Sequence, residues 1–178
     1  MKKGGIGGGN TRTGLNFEGK ADFLTLLDQA PGYKVEKTKI AYIIYFENSQ
    51  VANTYKKHDL YRFLESKGVD WNKIISKKLL PDDAVYVINE NTIFILELKY
   101  QEVEGSVDEK LQTCDFKRKQ YQKLFSELNY EVEYIYILND WFRNERYRDV
   151  LDYVLSVDCK YYFEYLPLHK IGLPVPKK

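Results

Sequence analysis

Residues 80–99 limit what this chain can fold into more than any other stretch. An apolar, β-prone run, Ala84 to Ile88, follows Pro81-Asp82-Asp83. A polar turn, Asn89-Glu90-Asn91, leads into Thr92-Ile93-Phe94-Ile95-Leu96-Glu97-Leu98-Lys99. Both apolar runs are short, which favours strands over helices, and the turn between them predicts a hairpin. Side chains alternate faces along a strand, so Glu97 and Lys99 share one side and Leu98 takes the other. A hairpin also returns Asp82 to the neighbourhood of Glu97. Asp83 points the opposite way and is the weaker candidate for the same role.

A sheet end carrying two carboxylates and a lysine needs a reason. Charged groups are seldom buried unless paired or metal-bound. Two carboxylates ~4 Å apart repel by about 4 kcal/mol at an effective dielectric of 20. A divalent cation between Asp82 and Glu97 removes that repulsion, and hard oxygen donors with waters completing the shell suit Mg²⁺. Lys99 then stands where it can stabilise charge on a phosphate or an attacking water. A plain salt bridge of Glu97 with Lys99 is the structural alternative.

Pro81-Asp82, fourteen intervening residues, then Glu97-Leu98-Lys99 resembles the PD-(D/E)XK nuclease signature. Two further blocks resemble one group of type II restriction endonucleases within that superfamily. They are Gly7-Gly8-Gly9-Asn10-Thr11-Arg12-Thr13-Gly14-Leu15-Asn16-Phe17-Glu18, and Tyr100-Gln101 through Gly105-Ser106-Val107-Asp108-Glu109-Lys110-Leu111-Gln112-Thr113. The resemblance implies a restriction-endonuclease-like α/β/α core with a mixed central sheet flanked by helices. It implies a Mg²⁺-dependent, sequence-specific cut of double-stranded DNA that leaves 5′-phosphate and 3′-hydroxyl ends. Asp82 and Glu97 would hold the metal, Lys99 would serve the attacking water, and Glu18 and Gln101 would support them. Asn10, Arg12, Lys110, Thr113 and Lys117 would meet DNA. A homodimer matching a palindromic site and a cognate DNA methyltransferase in the host are the expected partners. The alternatives are a structure-selective repair or junction nuclease on the same fold, and a non-catalytic nucleic-acid-binding module.

The chain has 178 residues, enough for one domain with a substantial core. Lys and Arg nearly balance Asp and Glu, at a net charge of +1. A DNA enzyme of this composition must therefore gather its cations on one face. The two cysteines, Cys114 and Cys159, lack the CxxC and His spacing of a zinc site. No basic-then-apolar leader opens the sequence and no apolar run approaches a membrane span, so a cytoplasmic location is expected.

The remaining elements are read in order. Residues 1–14 are a glycine-rich arm. Asn16 to Ala30 is expected to be a helix with Glu18 in its first turn, stopped by Pro31-Gly32. A strand lies within Tyr33–Phe46, and a polar break spans Glu47–Gln50. Helices are expected over Lys57–Lys67 and Asp70–Lys77. Ser106 to Leu128 reads as one long helix opened by a Ser106/Glu109 capping box, with Lys110, Thr113 and Lys117 on one side. Tyr130–Leu138 is a strand, Asn144–Ser156 a helix, Lys160–Leu166 a short aromatic strand, and residues 168–178 a tail. His58 and His169 have no nucleophile pattern near them and read as surface residues.

Overall fold

The computed structural model describes residues 13–105 and 107–177. Its organising unit is an antiparallel hairpin of β5 (Asp83–Val87) and β6 (Thr92–Lys99), in register from Asp83 opposite Leu96 to Val87 opposite Thr92. Asn91 closes the turn at φ 48°, a left-handed conformation that asparagine tolerates better than most residues. Its side-chain amide donates to the Asn129 carbonyl at 2.9 Å, which ties the turn to the next crossover.

The hairpin sits inside a seven-stranded sheet. β2 (Tyr33–Lys37), β3 (Tyr42–Phe46) and β4 (Ser49–Tyr55) precede β5 in antiparallel order. β7 (Glu131–Leu138) and β8 (Lys160–Phe163) follow β6 in parallel. The protein is thus mixed α/β. A two-stranded ribbon pairs β1 (Gly14–Asn16) with β9 (Tyr165–Pro167).

Alternation along the strands divides the core in two. Ala84, Ile93, Ile95, Tyr134 and Tyr136 face one side. There they meet α2 (Asp59–Ser66), α5 (Cys114–Ser126) and α6 (Arg148–Ser156). Val85, Val87, Phe94, Leu96, Ile135 and Ile137 face the other side. They meet α1 (Phe23–Asp28), the β1/β9 ribbon and a 3-10 turn, Leu168–Ile171. Helices also span Trp71–Ile74 (α3) and Val107–Leu111 (α4).

Several expectations are corrected. The helix expected over Asn16–Ala30 shrinks to α1. Gly19 and Lys20 adopt φ values of 73° and 63°, which no helix accommodates, and Asp22 caps the true start by accepting the Thr25 N–H at 3.0 Å. Gly14 belongs to β1 and not to a loose arm. A Cβ there would meet Leu166 O at 2.7 Å, so the ribbon needs glycine. Residues 1–12, the rest of that arm, lie outside the described residues.

The polar break at Glu47–Gln50 is a hairpin turn followed by β4. Glu47 and Asn48 both have positive φ, the geometry of tight two-residue hairpins. The long helix divides into α4 and α5 at Gln112-Thr113, and Ser106 of the capping box lies outside the described residues. The aromatic strand divides between two sheets at Glu164, whose φ is 54°. Residues 168–173 pack and do not trail: Leu168, Ile171 and Leu173 are buried. Among the described residues, no helix is long and apolar enough to cross a membrane.

Candidate active site

One step beyond the last ladder pair of the hairpin, Asp82 lies beside Glu97. Both belong to the sheet face that carries Ala84, Ile93 and Ile95. The sequence builds this in a simple way. β6 is apolar on both sides up to Leu96, then turns polar on one face while Leu98 continues the apolar other face.

Asp82 is fixed through both oxygens. The Leu98 backbone N–H donates to Oδ2 at 3.1 Å, and the Lys57 ammonium donates to Oδ1 at 2.5 Å. Glu97 is buried, at 6% exposure. Its Oε2 accepts from Lys99 Nζ at 2.7 Å and lies 3.7 Å from Lys117 Nζ of α5. Three ammonium groups therefore surround two carboxylates at this end of the sheet.

A phenol reports that the two carboxylates share a side. Tyr121 of α5 is fully buried, and its hydroxyl has no hydrogen-bond partner among the described residues. Burial raises its pKa far above the tyrosine range, and the negative charges of Glu97 and Asp82 raise it further. Tyr134 is raised in the same way, by burial first and Glu97 second. Both phenols stay protonated.

Asp83 serves the opposite face. It is 2% exposed, and its Oδ1 accepts no hydrogen bond among the described residues. Lys56 Nζ stands 3.6 Å from that oxygen and also pairs with Asp22, the cap of α1. Burial pushes the Asp83 carboxyl up to about 7, Lys56 opposes the shift, and the charges of Asp22 and Asp82 add to it. The two faces meet at a cleft of about 400 Å³ lined by Lys20, Asp22, Lys56, Lys57, Asp82, Asp83 and Tyr100, among others.

Gln101 lies just past β6, buried, with neither side-chain amide atom hydrogen-bonded among the described residues. Its backbone is clamped by Asn139: the Gln101 N–H donates to Asn139 Oδ1 at 3.2 Å, and Asn139 Nδ2 donates to Gln101 O at 2.8 Å. The Asn139 N–H also reaches Lys99 O at 3.3 Å.

No protein-family model matches the chain, and no curated protein or solved structure matches it significantly.

Other residues singled out in the sequence stand apart from this cluster. Glu18 is exposed in a turn and not in a helix, and its N–H donates to Asn16 Oδ1 at 3.1 Å. Asn10 and Arg12 lie outside the described residues. Lys110 and Thr113 are exposed; the α4–α5 break separates Lys110 from Lys117, whereas Thr113 caps α5 and its carbonyl accepts the Lys117 N–H at 3.1 Å. Lys117 turns inward to Glu97 instead of outward with them. His58 and His169 are exposed.

Sequence reading missed Lys57, Tyr121 and Asn139 as members of this neighbourhood. Asn139 follows the last apolar residue of β7, which is the one local signal; Lys57 and Tyr121 are recognisable only once the strands are paired.

The donor set fits Mg²⁺. Asp82, just before β5, and Glu97 of β6 offer hard oxygens, and Glu97 Oε1 carries no hydrogen bond among the described residues. No group of three or more His, Cys, Asp and Glu side chains gathers to hold a metal among the described residues. Two carboxylates with the remaining positions filled by water is a common way for proteins to bind this ion.

Proposed function

We propose that the protein is a Mg²⁺-dependent, sequence-specific endonuclease of double-stranded DNA, of the PD-(D/E)XK type found in type II restriction enzymes. The observation that carries the reading is the placement of Asp82 and Glu97 on one sheet face with the Lys99 ammonium 2.7 Å from Glu97. Asp82 and Glu97 would hold Mg²⁺, whose chemistry there would be Lewis acidity toward a phosphoryl oxygen and a water.

The chain's own residues do the rest. Asp82 and Glu97 would hold the ion, and Asp82 is itself held in place by the Leu98 N–H. Lys99, nearly sunk into the protein, keeps a fixed positive charge beside the attacking water and the phosphate, where developing negative charge is stabilised. Lys117 adds a second cation behind Glu97. The buried amide of Gln101, without a hydrogen-bond partner among the described residues, would supply a donor and an acceptor for the water or a phosphate oxygen. In-line attack at phosphorus breaks the bond to the 3′ oxygen and leaves 5′-phosphate and 3′-hydroxyl ends. A twofold dimer cutting both strands of a palindrome, with a cognate methyltransferase protecting the host DNA, completes the proposal.

One observation favours a second reading, a non-catalytic nucleic-acid-binding module. Each carboxylate already has an ammonium partner, so the cluster is a satisfied ion-pair network as it stands. A single experiment separates the two. Long DNA is incubated with and without Mg²⁺ and the ends are sequenced, using the natural chain, Glu97→Gln and Lys99→Ala. Discrete ends that require Mg²⁺ and vanish in both variants support the nuclease. DNA left whole under every condition supports the binding module, and cutting unchanged by either substitution removes these residues from the active centre.

A further inference from the structure

Of the three ammonium groups around Asp82 and Glu97, one differs from the others. The side chains of Lys99 and Lys117 are 18% and 24% exposed, whereas that of Lys57 is 51% exposed. Lys99 and Lys117 have little room to leave. Lys57 has solvent beside it.

Lys57 also holds an unfavourable backbone. It lies between β4 and α2 at φ 49°, the left-handed region that residues with a Cβ avoid. Its N–H donates to Pro81 O at 3.2 Å, which fastens this strained residue to the one preceding Asp82. The result is a side chain delivered to a single atom: Nζ sits 2.5 Å from Asp82 Oδ1. Asp82 Oδ2 is already committed to the Leu98 N–H. The strand N–H on Oδ2 is fixed, whereas the half-exposed lysine on Oδ1 can swing away, so Oδ1 is the oxygen that an external ligand can open by displacing Lys57.

We infer that Lys57 is a resident counter-cation which a divalent metal must displace from Asp82. In the absence of metal its ammonium neutralises one of two adjacent carboxylates. When the metal takes Oδ1, the ammonium moves out into the cleft that it and Asp82 both line. The exchange sets how much free metal the site needs. The assignment rests on the two-carboxylate metal site proposed above.

The test is calorimetric titration of Mn²⁺ into the full chain at fixed ionic strength, without DNA, so that binding is read and not turnover. Lys57→Met and Lys57→Gly remove the competitor, and glycine also relieves the backbone, which guards against loss of folding. Lys56→Met removes a neighbouring positive charge that serves Asp83 on the opposite face. Asp82→Asn removes the ligand. Both Lys57 variants are expected to bind Mn²⁺ about tenfold more tightly than the natural chain, the effect of one close charge at partial exposure. Lys56→Met is expected to change affinity less than about twofold. Lys57 variants no tighter than the natural chain, or a Lys56→Met gain of equal size, would overturn the inference while leaving the metal site standing. Equal Mn²⁺ binding by the natural chain and Asp82→Asn would instead remove the metal site itself, and the inference with it.

Discussion

Asp82 and Asp83 are chain neighbours that serve opposite faces of one sheet: Asp82 Oδ1 lies 2.5 Å from Lys57 Nζ, and Asp83 Oδ1 lies 3.6 Å from Lys56 Nζ. Each lysine is in turn the chain neighbour of the other. The end of β4 and the start of β5 thus supply one acid–ammonium pair to each layer of the protein. Asp83 cannot replace Asp82 without reversing the strand, so the two substitutions should separate cleanly.

Asp82→Asn should lower Mg²⁺-dependent DNA cleavage by at least about 10²–10³-fold, the usual effect of removing one group that stabilises transition-state charge. Asp83→Asn should retain far more activity. Initial rates on a plasmid substrate, with gel-shift binding in Ca²⁺ as the folding and DNA-binding control, check the contrast. Equal losses in both variants would contradict the assignment of roles.

Asp83 should also make stability depend on pH. Its folded pKa is raised to about 7, well above the ordinary aspartate value of 3.8. The folded state therefore holds the proton more tightly than the unfolded state. The stabilisation is full below pH ~4 and is lost as pH rises through about 7. Above that, the carboxylate is charged in a buried site where Lys56 opposes the cost and the charges of Asp22 and Asp82 add to it. Asp83→Asn should flatten the fall in unfolding free energy between pH 4 and 7.5 relative to the natural chain, measured by urea titration. A slope identical in both proteins would show that Asp83 titrates normally.

Gly172→Ala should destabilise the protein by about 1–2 kcal/mol, the cost of a left-handed backbone for an L residue. Gly172 ends the 3-10 turn at φ 67°, and an added Cβ would come within 2.4 Å of Glu90 Cγ, at the tip of the β5/β6 turn. Thermal unfolding with a midpoint several degrees lower is the expected reading. No change would mean that residues 168–173 are not held against the sheet.

Tyr121→Phe should be neutral or should raise stability by up to about 1 kcal/mol, because the buried hydroxyl it removes has no partner among the described residues. Chemical denaturation measures this directly. A loss greater than about 1 kcal/mol would show that the hydroxyl is hydrogen-bonded in solution, for instance to water among Asp82, Glu97 and the phenol.

The parts of the fold that were legible in the sequence are those whose pattern is local. The runs from Ala84 to Ile88 and Thr92 to Leu98 are strands because length, apolarity and the Asn91 turn agree, and α2, α5 and α6 carry apolar stripes at helical spacing. The adjacency of Asp82 and Glu97 followed from the hairpin register alone. What failed depended on distant partners. β1 is three residues long and exists because β9 pairs with it; nothing near Gly14 signals that, and Asn16 and Phe17 looked like a helix start. β4 was hidden because Ser49, Gln50, Asn53 and Thr54 are polar, and it is a strand because β3 and β5 border it on both sides. Glu18 was expected beside the carboxylates through a helix that Gly19 and Lys20 do not permit. Lys57 carried no signal, since its role comes from a backbone angle.

The ribbon of β1 with β9 imposes a timetable on assembly. A strand translated early waits for one made about 150 residues later, and until Tyr165–Pro167 arrives Leu15 and Phe17 have no seat over the sheet. The face over Val85, Val87 and Leu96 is thus closed by segments from both ends of the described residues, Leu15 and Phe17 together with Leu166 and Leu168.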